Sequence, residues 1–195
     1  QYQYRADLLS QLEGKTNFAR YFAAMQPNKN FIQSELASTL KRIAEHGPAD
    51  FYQGETAKLL VAQMQRGGGL ITLEDLAAYK AGWREPVITP WRDYQLVTAA
   101  PPSSGGIALS QLLALKQRRS ADFTNVALNS SQYVHLIAEI EKRVFADRAD
   151  YLGDPDFTTV PQQQLLDSAY LDKRAAEINP AAISATAAVK PGLEG

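Results

Sequence analysis

Apolar positions recur at helical spacing along much of the chain. Leu8, Leu9 and Leu12, then Phe18, Tyr21, Phe22 and Met25, fall three or four residues apart, which predicts helix over residues 1–26 with a break at Gly14. Pro27-Asn28-Lys29-Asn30 is a turn. Leu36, Leu40 and Ile43 share one face of a second helix, residues 34–45, which His46-Gly47-Pro48 stops. Phe51 to Gly54 reads as a short aromatic connector. Leu59, Leu60 and Met64 mark a third helix over residues 55–66. Gly67-Gly68-Gly69 ends it, because glycine enters the left-handed region at a helix C-terminus without steric cost. Thr72 and the carboxylate three residues on, Asp75, form the capping-box pattern of a short helix that ends near Tyr79 and Gly82.

The period then changes. Residues 83–90 and 94–99 are two β-prone runs joined by Trp91-Arg92-Asp93, a hairpin at about 84–99. Pro86 and Pro90 cannot donate to a ladder, so the first strand is expected to be short or at an edge. Trp83 and Trp91 flank it and are expected to be half-buried, packing the hairpin on helices; an exposed aromatic patch for a partner chain is the lesser reading. After Pro101-Pro102, Ser103 or Ser104 can cap a helix over residues 105–117. Ile107, Leu109, Leu112, Leu113 and Leu115 are too many apolar positions for one stripe and predict burial on more than one side. A polar connection, residues 118–129, leads to the longest helix, residues 131–152, closed by Gly153-Asp154-Pro155. Pro161 and a Ser168 cap frame one or two last helices to about Ile178. The fold class read from this order is α+β: a helix-rich piece over residues 1–180 with a short antiparallel hairpin, then a weakly patterned, flexible tail over 181–195.

With 195 residues the chain is long enough for a core of its own. A net charge of −1 offers no cationic surplus for a phosphate backbone, so nucleic acid is not an expected partner. No apolar run has the length of a membrane span. The absence of cysteine excludes disulfides, thiol nucleophiles and cysteine-based zinc sites. The opening QYQYRADLLSQ lacks the basic start and apolar stretch of a signal peptide.

Residue chemistry yields no complete active site. PPSSGG, residues 101–106, is a turn and helix cap; its sharper reading is a rigid loop whose amides hold an anion beside a cleft. His135 lies among apolar helix positions and reads as a hydrogen-bonded core residue, while His46 suits a helix C-terminus. Asp147, Asp150, Asp154 and Asp156 cluster in sequence, but Lys142, Arg143 and Arg148 lie at hand. Arg143 and Asp147 are one turn apart, so an ion pair is the simpler account than metal or acid–base chemistry. Asp154 before Pro155 suits an Asx turn. No catalytic, cofactor-binding or metal-ligating residue is assigned, and no cofactor is expected.

Several blocks carry a family resemblance. GGGLIT-x-EDLAAY, EPV and PPSSGG, with QSELASTLKRIAEHGPADFYQGETA at 33–57, ADRADYLGDPDF at 146–157 and KPG at 190–192, occur in the order found in gamma-glutamyltransferases, also called gamma-glutamyltranspeptidases. The match runs from about Gln33 to Gly192 and resembles the C-terminal half of the large subunit. The resemblance implies part of an N-terminal-nucleophile hydrolase with an αββα sandwich, made as a precursor that cuts itself into two subunits. A threonine opening the small subunit is then both processing and catalytic nucleophile, acting on gamma-glutamyl amides such as glutathione. It also implies a periplasmic or secreted location. The implied partners are the early part of the large subunit and the small catalytic subunit, with self-association of the isolated piece. KPG precedes the processing site in that family, so Thr158, Thr159 and Thr186 do not match the nucleophile. The alternatives are a related glutaryl or cephalosporin acylase-like enzyme and a noncatalytic helical interaction domain.

Overall fold

A computed structural model describes residues 2–193. The chain divides into two compact units, Gln1–Gly82 and Trp83–Gly195.

The first unit is all helical among the described residues: α1 (Tyr2–Leu12), α2 (Phe18–Phe22), α3 (Ser34–His46), α4 (Pro48–Gln53), α5 (Glu55–Gly67) and α6 (Leu73–Ala78). Helix α4 corrects the expected aromatic connector. Proline at its first position costs no hydrogen bond there and presets the helical φ. Asp50 on α4 then caps α5: its Oδ1 accepts from the amides of Glu55 at 3.1 Å and Thr56 at 3.4 Å, and the Thr56 hydroxyl donates to Oδ2. Gly68 ends α5 with φ +72°, as the glycine run predicts. Thr72 and Asp75 form the predicted capping box, with Thr72 N to Asp75 Oδ2 at 2.9 Å and Asp75 N to Thr72 Oγ1 at 3.1 Å. The core here is small: Ala57, Val61 and Leu76, with Leu60 packed against them. Leu36 and Leu40 on the apolar face of α3 are exposed.

The second unit opens with β1 (Val87–Trp91) and β2 (Tyr94–Thr98), antiparallel, with Val87 opposite Thr98 and Trp91 opposite Tyr94. The first strand begins well after Trp83, and that tryptophan is fully exposed rather than half-buried. Trp91 is half-buried, its ring 6.4 Å from that of Tyr94. Alternation sends Val87, Thr89 and Leu96 inward and leaves the cross-strand pair Ile88 and Val97 exposed. Helix α7 (Gly105–Arg118) packs beneath the hairpin. At Gly106 a Cβ would stand 2.4 Å from the Ala99 carbonyl and the Thr98 hydroxyl, so only glycine allows this approach. A 3-10 turn (Ser120–Phe123) leads to α8 (Ser131–Tyr151), whose first free amides include Tyr133 N, bonded to Ser130 Oγ at 3.2 Å. Helices α9 (Gln162–Leu165) and α10 (Ser168–Ala176) follow. The cap of α10 is Asp167 rather than Ser168, its Oδ1 accepting from Ala169 N and Tyr170 N. The carboxylate is the better acceptor at a helix N-terminus and sits one residue earlier. Two clusters form the core: Leu115, Ile140, Val144, Leu171, Ala175 and Ile178, and beside them Val87, Ile107, Leu165 and Tyr170.

Candidate functional site

Helix α8 carries Glu139, Arg143, Asp147 and Tyr151 at four-residue intervals, which places them along one stripe of its surface. Three of the four are buried and Tyr151 is half-buried. Burying charge is unfavourable unless it is paired, and here Glu139 and Asp147 each accept hydrogen bonds on both carboxylate oxygens. Glu139 Oε1 accepts from Lys142 Nζ at 2.6 Å and Ser184 N at 3.1 Å, and Oε2 accepts from Arg143 Nη1 at 2.7 Å. Burial pushes the Glu139 carboxyl up, but the donors Lys142, Ser184 and Arg143 outweigh it and hold it at about 2. Asp147 Oδ2 accepts from the Tyr170 hydroxyl at 2.6 Å and Gln111 Nε2 at 3.2 Å. Its Oδ1 accepts from Arg174 Nη2 at 2.9 Å and Gly192 N at 3.1 Å. Burial, and then the bond to Asp147, raise the Tyr170 hydroxyl above its usual range. Arg174 also reaches the Arg143 carbonyl through Nη2 and Glu177 through Nη1, while Nε of both Arg143 and Arg174 is buried without a hydrogen-bond partner.

The tail is part of this network. Lys142 Nζ donates to the Ser184 carbonyl at 2.8 Å, and Arg143 Nη2 to Ser184 Oγ at 3.2 Å. Tyr151 Oη accepts from Leu193 N at 3.1 Å and donates to the Leu193 carbonyl at 2.9 Å. Leu193 packs on the second core cluster. Gly192 lies so close to α10 that a Cβ would meet Arg174 Cδ at 2.5 Å and Tyr170 Oη at 2.7 Å. Weak apolar patterning misses these contacts, because backbone amides and carbonyls make most of them. Residues 194 and 195, the end of the expected tail, lie outside the described residues.

The aspartates that cluster in sequence separate in space. Asp147 is the buried hub and pairs with Arg174, not with Arg143; Arg143 pairs with Glu139 one turn earlier. The expected 143–147 ion pair is thereby corrected, because Arg174 from α10 reaches Asp147 first. Asp150 is exposed. Asp154 forms the expected Asx turn, its Oδ1 accepting from Asp156 N at 3.0 Å, and Arg84 bridges Asp154 and Asp156 at 3.5 and 2.7 Å. The bond to Asp156 raises the Arg84 pKa further. Among the described residues no group of three or more histidines and carboxylates is arranged to hold a metal ion. His46 occupies the last turn of α3. His135 is half-buried, and its Nε2 has no partner, contrary to the hydrogen-bonded histidine expected there. At the start of α7, Ser104 makes no capping bond; its hydroxyl accepts from Arg148 Nε at 2.9 Å. Thr158, Thr159 and Thr186 are exposed. The residues that sequence reasoning missed are Glu139, Tyr151, Tyr170 and Arg174. Their visible signal is the four-residue spacing Glu139, Arg143, Asp147, Tyr151 on a helix that should otherwise be apolar on that side.

The gamma-glutamyltranspeptidase family model matches residues 2–193, and the chain belongs to that family. It is 61% identical over 194 residues to the glutathione hydrolase proenzyme of Pseudomonas aeruginosa, covering 100% of this chain and 35% of that protein. The gamma-glutamyltranspeptidase from Pseudomonas nitroreducens, solved in complex with L-DON, superposes with a TM-score of 0.91 at 61% identity, over 100% of this chain and 58% of the solved one. The cephalosporin acylase from Bacillus halodurans superposes with a TM-score of 0.73 at 25% identity, over 89% of this chain and 33% of its own. The chain thus spans about a third of the length of the curated relative. The helix-rich α+β class with one antiparallel hairpin, expected from the pattern, is the class observed.

Proposed function

We propose that these residues are the scaffold half of the large subunit of a gamma-glutamyltransferase, and that the whole protein cleaves gamma-glutamyl amides such as glutathione. The observation that carries this reading is the match in full length to a proenzyme of which the chain is only 35%. The attacking group is then a threonine hydroxyl outside this chain, with its own free amine as base. It takes the glutamyl acyl group as an ester and passes it to water or to an amino acid or peptide. The early part of the large subunit and the small subunit complete the αββα sandwich around the pocket, and the tail from 181 leads toward the site of self-cleavage. A periplasmic or secreted location accompanies this function. The exposed Ile88–Val97 pair and the exposed α3 leucines support self-association of the isolated piece.

The purified 195-residue chain should release no product from glutathione or a gamma-glutamyl anilide, whereas the parent protein should cut itself and then turn over both. Hydrolysis by the chain alone would refute the assignment. An acylase is the second reading, favoured by the Bacillus halodurans neighbour; a parent protein that prefers glutaryl amides to glutathione would establish it instead.

A further inference from the structure

The tail is fastened to α8 at positions that repeat along both. Ser184 is held by Glu139, Gly192 by Asp147 and Leu193 by Tyr151, so the tail runs parallel to the helix. Glu139 and Asp147 are separated on the helix by about 12 Å, from a rise of ~1.5 Å per residue. Residues 184 and 192 are as many positions apart, yet an extended strand would cover about 26 Å. The tail is therefore held at roughly half its reach. Part of the slack is taken up by the 3-10 turn Thr186–Ala188, and the last fastening among the described residues is at Leu193. That last fastening is made at both ends of one residue, since the Tyr151 hydroxyl bonds both the amide and the carbonyl of Leu193. The other side of the tail is closed at Gly192, where Arg174 is itself immobilised by Asp147 and Glu177.

We infer that Asp147 and Tyr151 are positioning residues for self-cleavage of the precursor, fixing the register of the segment that carries the scissile bond; this rests on the function proposed above. In that step the threonine hydroxyl attacks the carbonyl carbon before it. The C–N bond breaks and its nitrogen takes the hydroxyl proton to become the free amine. Water then hydrolyses the ester, leaving a carboxylate on the upstream chain and the hydroxyl regenerated. An attack of this kind is sensitive to displacements of an ångström, which can cost about a hundredfold in rate.

The test uses the full-length precursor. Tyr151→Phe removes only the hydroxyl, and self-cleavage should slow by about tenfold or more. The melting temperature should hold, and the fraction that has been cleaved should turn over gamma-glutamyl substrate at the wild-type kcat/KM. A fault of folding would move all three together. Gly192→Ala attacks the same fastening from the tail side and should also slow cleavage. Amide exchange at Leu193 in the uncleaved full-length precursor should speed up in Tyr151→Phe, which reports the fastening separately from cleavage. Wild-type cleavage rates in both variants would overturn the inference, even with faster exchange. A wild-type precursor that never cuts itself would instead overturn the proposed function, and the inference with it.

Discussion

Each unit contains a buried aspartate, and the two are buried for different purposes. The Asp50 carboxylate bonds to near neighbours on the chain, the amides of Glu55 and Thr56 and the Thr56 hydroxyl, with Arg42 at 3.7 Å. It is a helix cap that happens to be covered. Asp147 collects Gln111, Tyr170, Arg174 and Gly192, from α7, α10 and the tail. It ties together elements that the chain places far apart. The surroundings differ in kind as well. Around Asp50 the apolar core is Ala57, Val61 and Leu76. Around Asp147 two larger clusters close over the helix, and each fully buried aliphatic side chain contributes about 1.5–3 kcal/mol. A local carboxylate organises one junction; a carboxylate with distant partners makes the whole unit depend on it.

The comparison is broken most directly by removing the hub. Asp147→Ala leaves the buried Arg174 guanidinium with Glu177 as its one carboxylate and strands the Tyr170 hydroxyl and the Gln111 amide, and should cost about 3 kcal/mol or more in urea unfolding. A loss as small as that of a helix cap would remove the distinction. The Glu139 carboxyl offers a pH handle on the same unit. It ionises at about 2 in the folded chain and near 4.5 when unperturbed, so its stabilisation is complete above 4.5 and is lost as the pH falls toward 2. Glu139→Gln should lower the urea midpoint at neutral pH, and the gap to wild type should close as the pH drops through that window.

Asp50→Ala sharpens the contrast from the other side. It should cost about 1–2 kcal/mol, the worth of a good cap, and hydrogen exchange should rise first at the Glu55 and Thr56 amides. Bonds from Thr56 hold the Asp50 carboxyl below the usual range, so protonating it at low pH should loosen the same amides. The smallest effect is expected at Trp83. With its ring fully exposed, Trp83→Ala should change stability by less than about 0.5 kcal/mol. Its fluorescence should already be that of a solvated indole.

What the sequence discloses and what it conceals follow the same division between local and distant. The periodicity of α3, α5, α7 and α8 places each helix to within a residue or two of its observed ends. The Thr72–Asp75 capping box and the Asp154 Asx turn are also legible, since each is settled within three residues. Helix α4 is hidden because Phe51 and Tyr52 resemble a linker until Asp50 is seen capping the next helix. The ion pairs are hidden for another reason. Four-residue spacing fits Arg143 equally well to Glu139 and to Asp147, and the choice falls to Arg174, which is brought in by α10. The sequence places Trp83 at the edge of the first strand, where it would pack the hairpin on helices, but that strand begins only at Val87. The family blocks carried the relationship that local physics alone does not supply.

Because the tail lies alongside α8 in the same direction, its fastenings respond differently to the direction of a load. Tension along the helix axis is shared by Ser184, Gly192 and Leu193 together, as in a joint under shear. Tension away from the helix falls on Leu193 alone, then Gly192, then Ser184, and peels the segment like tape. For a load applied beyond Leu193, the angle of the pull decides how much force the joint withstands.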